Sequence, residues 1–470
     1  MRKTFRGTFL PIALIAFNII SLVPATLLAQ HSLPDSVIKK LQQVVDNFSK
    51  TSNSPGLSIA IVHEHDVVYK QATGYTDLEN KVETKVDSKF PIMSITKTFT
   101  ATMFMQLVER GVIGLTDDVK KYIPEYKVKS PYKGTGPTTL LQLATHTSGL
   151  PRNTPADTAF TFSFERWMIT GGAVPVKAFA TNKEVLHTLQ FMQLDYPPYD
   201  FIHQNDRHYS NLGYTLLGIA IERAAKTNYS DYVTDYILAP LKMKESGFLS
   251  DRGIGPQLAK GYRFDKNRKK FDEIPFFDVN AAIYPGGIYS TATDMTKYIM
   301  AQFDNDQLLR PDTRAMMRHL KIAWKPAYPY VLHEGGFPGH RSILVFNPES
   351  KIGWVILTNN GDNDFGKINE QFASILSDAF KKSGKTDLQQ YTGTYSLPGG
   401  YGAMDIYLKN DSLYSTYCQY LLPVTAMKAD GPNRFKVEVK EGYNINYEFV
   451  ADKDGKIKGL RLGQFLWDKE

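Results

Sequence analysis

At 470 residues the chain is too long for one average domain and suits a large core of a few hundred residues with a smaller module beside it. Apolar residues make up 42% and charged residues 22%, ordinary globular values that exclude a disordered, collagenous or multi-span membrane chain. Three positives of the formal +7 fall in the first segment, and the remaining +4 is weak and dispersed, which gives no footprint for nucleic acid.

That first segment carries Arg2, Lys3 and Arg6, then an apolar run from Phe9 to Val23, then small residues ending at Ala29. The pattern is a secretory signal peptide over residues 1–29, cleaved near Ala29. Pro11 and Pro24 interrupt the run and weigh against a retained anchor, so the expected location is periplasmic or secreted, with no stable membrane insertion after signal removal. Cys418 is the only cysteine; no intramolecular disulfide can form, and stability must come from core burial.

Next, Asp35 and Ser36 are expected to cap a helix whose Ile38, Leu41, Val44, Val45 and Phe48 recur on one face. The run Gly56 to Val62 and its return over Val67 to Tyr75 read as an antiparallel strand pair. A helix-rich middle follows, with helices expected over Ser94 to Arg110 closed by Gly111, Thr138 to His146, Asn211 to Lys226 and Tyr229 to Leu238. Strands return at Tyr330 to His333, Arg341 to Phe346 and Ile352 to Thr358, before an amphipathic helix over Ile368 to Phe380. Strands at both ends with helices between them imply one antiparallel sheet assembled from distant segments, with a helical insertion. After the polar linker KKSGKTD, short alternating runs at Met404 to Leu408, Ser412 to Tyr417, Arg434 to Val439, Ile445 to Val450 and Ile457 to Leu462 describe a small all-β module.

Ser-x-x-Lys occurs three times, at Ser36 to Lys39, Ser94 to Lys97 and Ser130 to Lys133, so context decides among them. Ser36 reads as a surface helix cap and Ser130 lies in a loop broken by Pro and Gly. Ser94 opens the apolar, Thr-rich stretch ITKTFTATMFMQLVERG, and residues three apart share a helix face, which puts Lys97 beside the Ser94 hydroxyl. Serine is a weak nucleophile until a base takes its proton, and a lysine removed from water loses pKa and can be that base. Tyr209 offers a hydroxyl able to shuttle a proton, and Asn211 an amide able to fix a lysine or a carbonyl. His333-Glu334-Gly335-Gly336 adds a titratable group and glycines that let a ligand approach the backbone closely. Each of the three segments has a plain structural reading when taken alone: a capped helix, a core tyrosine, a structural histidine.

Taken together and in order, they resemble the serine β-lactamase and penicillin-binding family, in particular its class C-like branch, which includes D-alanyl-D-alanine carboxypeptidases, D-aminopeptidases and esterases. Further similar stretches are FPIMSITKTFTA, LLQLATHTSGLP, YSNLGYTLLG, LAPLKM and PGGIYSTATDM, and the resemblance runs from about Pro55 to Asn360. It implies an α+β, β-lactamase/transpeptidase-like fold: a central antiparallel sheet flanked by helices with a helical subdomain, over residues 30–382. A small all-β C-terminal domain would occupy 383–470, and its YTGTY (Tyr391 to Tyr395) is similar to the start of such extensions.

The same resemblance implies Ser94 as nucleophile, Lys97 as its proton acceptor and Tyr209 as acid/base toward the leaving group. Asn211, His333, Gly335, Gly336 and Arg341 would bind substrate, with the backbone N–H groups of Ser94 and Gly336 as the oxyanion hole. His333-Glu334-Gly335 stands where many relatives carry Lys-Thr-Gly, which removes a permanent positive charge that usually meets the substrate carboxylate. True β-lactamase activity is therefore not expected, and Arg341 is a candidate to replace the charge. The expected function is an exported serine hydrolase acting through an acyl-enzyme on D-amino-acid peptides, as carboxypeptidase or aminopeptidase. The alternatives are a carboxylesterase, or a penicillin- or peptidoglycan-binding sensor without turnover. The substrate would be a small molecule or a peptidoglycan-derived peptide, with no cofactor, no metal and no nucleic-acid partner.

Overall fold

Along GLSIAIV, Leu57, Ile59 and Ile61 point to one side and Ala60 and Val62 to the other, and both sides are buried in the computed structural model. The structure describes residues 33–170, 178–198, 208–327, 329–380 and, within 387–470, all but 398–402, 411, 417–424, 441–442 and 464. The signal segment, Cys418, Tyr417 and most of the KKSGKTD linker lie outside the described residues.

The main sheet has seven antiparallel strands. Across it they run Val82–Glu83, Asp66–Asp77, Gly56–His63, Ile352–Thr358, His340–Asn347, Tyr330–Phe337 and Lys325–Ala327. Gly56–His63 pairs with Ile352–Thr358, so segments some three hundred residues apart close one sheet around the helices between them. On one face Leu57, Ile59, Ile61, Trp354 and Ile356 pack against the helices Asp35–Thr51 and Gly366–Ala379. On the other, Ala60, Val62, Leu344, Phe346, Val355 and Leu357 join the larger core that includes the buried helix Thr96–Glu109.

Several boundaries differ from the sequence reading. Neither Asp35 nor Ser36 caps the first helix; Pro34 is the cap residue, and its carbonyl accepts from the N–H groups of Val37 and Ile38. The segment at 138–146 shortens to Leu140–Ala144 because Thr139 and Gln142 close a reciprocal capping box there. Tyr229–Val233 is α-helical, but Thr234–Leu238 relaxes into π geometry. The strand expected to stop at His333 runs on to Phe337. The helix Pro155–Thr170 had no counterpart in the sequence reading.

A second sheet of eight antiparallel strands fills the C-terminal region around its own core of Tyr391, Tyr395, Met404, Phe449, Leu460 and Trp467. Gly393–Ser396, Lys428–Gly431 and Phe465–Lys469 are strands that the apolar alternation did not reveal. Burial, followed by the charge of Glu448 in this sheet, pushes the Glu349 carboxyl up. Glu349 sits on the Asn347–Ile352 hairpin, at the end of the main sheet away from Arg341 and Thr358, which are cross-strand partners at the other end. Among the described residues no helix is long and apolar enough to cross a membrane.

Leu41 is fully buried between the first helix and the sheet. Leu41→Ala is expected to lower unfolding stability by about 3 kcal/mol in a urea titration. A loss below about 1 kcal/mol would mean that this helix contributes little to the core.

Candidate active site

Ser94 does not start an α-helix directly. It occupies a one-turn 3-10 segment, Met93–Ile95, that leads into Thr96–Glu109, and Met93 before it holds a left-handed backbone at φ 49°. No side chain caps this start, so Ser94 is not spent as an N-cap. From position 90 to 107 it is the one residue that is not buried. The preceding Phe90–Pro91 pairs with Ile288–Ser290, and the N–H of Ile92 donates to the carbonyl of Ile288 at 3.0 Å, which fixes the turn from one side.

Lys97 has no solvent exposure. Its Nζ lies 3.1 Å from Ser94 Oγ, 2.9 Å from Asn211 Oδ1 and 2.9 Å from the carbonyl oxygen of Pro285. Burial, followed by the fields of Arg152 and Lys325, pushes its pKa well below the ordinary lysine value. A neutral amine has two N–H donors and one lone pair. Two of its three neighbours, the amide oxygen and the carbonyl, can only accept. When the amine is neutral and both N–H groups are spent there, its lone pair faces the Ser94 hydroxyl, the geometry a general base requires.

Asn211 is the first residue of the helix Asn211–Ala225 but not its cap. Ser210 accepts from the N–H of Gly213 at 2.9 Å, which leaves the Asn211 side chain for Lys97. Its Nδ2 donates to Asn153 Oδ1 at 2.9 Å, which sets the amide with oxygen toward the lysine. The Tyr209 ring centroid lies 4.8 Å from Lys97 Nζ.

On the sheet side, the strand Tyr330–Phe337 borders the Ser94 turn, and Ser342 Oγ, across from Gly335, donates to the carbonyl of Ile92 at 2.8 Å. A Cβ at Gly335 would collide with that same carbonyl and with Ser342 Oγ, so glycine is required for strand and turn to meet. His333 is buried, and its Nδ1–H donates to the carbonyl of Glu334 at 2.7 Å, leaving Nε2 as an acceptor. Burial lowers its pKa to about 3, so it is neutral at physiological pH.

Ser94, Tyr209, His333, Gly335, Gly336 and Arg341 line one cleft of about 180 Å³, with Lys97 and Asn211 immediately behind it. Arg341 reaches the cleft but lies 3.5 Å from Glu334, which shares its charge. Sequence reasoning missed Arg152 and Lys325, which line the same cleft. It also missed His146, whose ring centroid is 4.2 Å from that of Tyr209 and whose Nδ1 accepts from the N–H of Ser210 at 3.2 Å. Arg152 and His146 flank or fall within the LLQLATHTSGLP stretch and were open to notice; Lys325 lies in no pattern. Among the described residues no three His, Cys, Asp or Glu side chains gather as metal ligands.

A sequence model of the Beta-lactamase family matches residues 41–375. Beta-lactamase-like protein 2 of Dictyostelium discoideum is 32% identical over 265 residues, 56% of this chain; the matched part spans only 45% of that longer protein. Among solved structures, the octameric penicillin-binding protein homologue from Pyrococcus abyssi superposes with a TM-score of 0.59 at 24% identity, covering 92% of this chain and all of that one. A Beta-lactamase/D-alanine carboxypeptidase from Yersinia pestis gives 0.57 at 23%, covering 73% and 98%. At these identities the two structures speak to the fold.

Burial also sets an acid limit. His146, His333 and His340 are all held below the usual histidine value, His333 to about 3 and His340 to about 4. Below pH 6.5 these histidines bind protons in the unfolded chain that they refuse in the folded one, so their contribution to stability is full above that pH and falls as pH drops toward about 4. Each group removes up to about 1.4 kcal/mol per pH unit in that window. The urea midpoint is expected to fall steadily from about pH 6.5 to pH 4.5, before the paired carboxylates titrate. A flat midpoint would show that these histidines are not buried neutral.

Proposed function

The chain belongs to the Beta-lactamase family, with that family's serine-hydrolase fold, and from that premise we propose that it is an exported serine hydrolase working through an acyl-enzyme on Ser94. The observation that carries the reading is the buried Lys97 Nζ, within hydrogen-bond distance of the Asn211 amide oxygen, the Pro285 carbonyl and Ser94 Oγ. Lys97 takes the hydroxyl proton as Ser94 Oγ attacks an amide or ester carbonyl. The backbone N–H groups of Ser94 and Gly336 hold the oxyanion as it forms. The carbon–nitrogen or carbon–oxygen bond then breaks, and Tyr209 or Lys97 passes the proton to the leaving group. Water releases the acid and regenerates Ser94.

Charge in the cleft bears on the substrate. Arg152, Lys325 and Arg341 line it against a single carboxylate, Glu334, and Arg152 meets no carboxylate among the described residues. A peptide with a free carboxylate beside the scissile bond suits that field, whereas a D-aminopeptidase substrate would bring a protonated amine into it. We therefore favour a carboxypeptidase-type reaction on D-amino-acid peptides. A carboxylesterase is the second reading, supported by the neutral, buried His333 in the place of a lysine.

Intact-mass spectrometry after exposure to a fluorophosphonate is expected to show one adduct on the wild type and none on Ser94→Ala; an unmodified wild type would transfer weight to a binding protein without turnover. For the substrate class, a pair of p-nitrophenyl esters differing only in a free carboxylate or its methyl ester separates the readings. Arg152→Met should reduce kcat/KM for the carboxylate ester by about tenfold to a hundredfold and leave the neutral ester near wild type. Equal losses on both esters would sink the carboxylate assignment.

A further inference from the structure

We infer that Tyr284 is a positioning residue for the general base: anchored on Glu222, it holds the Pro285 carbonyl that fixes the orientation of Lys97. The inference rests on the reading of Lys97 as base.

One face of the helix Thr96–Glu109 grips the segment around Pro285 at successive points. Thr96 Oγ1 accepts from the N–H of Ile288 at 3.1 Å, Lys97 Nζ donates to the Pro285 carbonyl, and Thr100 Oγ1 donates to the Tyr284 carbonyl at 2.7 Å. Backbone bonds alone leave a short turn, Ile283–Gly286, free to rock about this line. The Tyr284 side chain removes that freedom. Its hydroxyl donates to Glu222 Oε2 at 2.5 Å and accepts from Asn182 Nδ2 at 2.8 Å. Burial and Glu222 both push the phenol pKa up, so it stays a donor.

The ring lies across Gly218, where a Cβ would fall inside it, and edge-on to Tyr229, whose hydroxyl also meets Thr100 Oγ1 at 2.8 Å. Glu222 and Asn182 line an open hollow at the outer end of this strut. A rigid line thus runs from Glu222 through Tyr284 to the carbonyl that takes one of the two Lys97 N–H groups. If that acceptor shifts, the amine can turn an N–H toward Ser94 and its lone pair away, and the base is lost although every cleft residue remains.

The test reads the base directly, through the rate of fluorophosphonate modification of Ser94 against pH. Tyr284→Phe keeps the ring packing and removes the hydroxyl. The limiting modification rate is expected to fall about tenfold with the half-saturating concentration unchanged. The acid limb should also move to lower pH, because a loosened carbonyl stabilises the ammonium form less. Arg152, Lys325, His146, His333 and the phenols of Tyr209 and Tyr214 also face Lys97, and none of them is altered. Glu222→Leu should reproduce the effect, and Glu222→Gln, which keeps an acceptor for the phenol, should restore most of the rate. A lowered Tm with wild-type rate and limb in both Tyr284→Phe and Glu222→Leu would overturn the inference. Wild-type modification of Lys97→Ala would instead remove the base reading on which it stands.

Discussion

An amine with no water around it must find a partner for each of its hydrogens, and this chain supplies two. Lys97 meets the amide oxygen of Asn211 and the carbonyl of Pro285, each at 2.9 Å, and its remaining valence faces Ser94. The rest of the molecule can be derived from the need to keep that arrangement dry and still. Burying a lysine costs several kcal/mol if it keeps its charge, so the site works only when the lysine gives the charge up. Neutrality then leaves a lone pair free to accept a proton and fixed in direction.

Three layers serve that requirement. The helix Thr96–Glu109 is buried nearly all round, so it cannot turn its Lys97 face to solvent. The sheet brings the strand Tyr330–Phe337 against the Ser94 turn, with Gly335 as the residue small enough for contact. The helix Asn211–Ala225 delivers Asn211 because its neighbour Ser210 does the capping. Each device is local, yet the three come from positions 94–97, 209–211 and 333–341, which meet only because the first and last parts of the body share one sheet.

That division explains how much could be read from the sequence. Short, nearly continuous apolar runs at Gly56–His63 and Ile352–Thr358 revealed the strands, since both faces of a central strand are apolar. Ser94, Lys97, Tyr209 and Asn211 were readable because they sit at fixed offsets within short runs. Arg152, Lys325 and the Pro285 carbonyl were not readable, because a charge lining a cleft and a backbone oxygen leave no spacing in the chain. The C-terminal strands Gly393–Ser396 and Lys428–Gly431 are only four residues each, too short for alternation to rise above their turns. Helix starts were misjudged where a cap competes with its neighbours, as at Pro34 and Thr139.

The exchange of a lysine for His333 has an electrostatic consequence beyond the missing charge. A second permanent cation at that strand would sit close to Lys97, since His333 and Ser94, which Lys97 meets, line the same cleft. His333 is neutral, so the cations that depress Lys97 are instead Arg152, from the helical body, and Lys325, from the sheet. Both line the cleft and both are reachable by a ligand. On the proposed reading, a docking carboxylate cancels part of their field and raises the proton affinity of Lys97 at the moment a carbonyl arrives beside Ser94. The empty cleft then holds a weaker base than the filled one, and the cations that select the substrate also time the activation of the nucleophile.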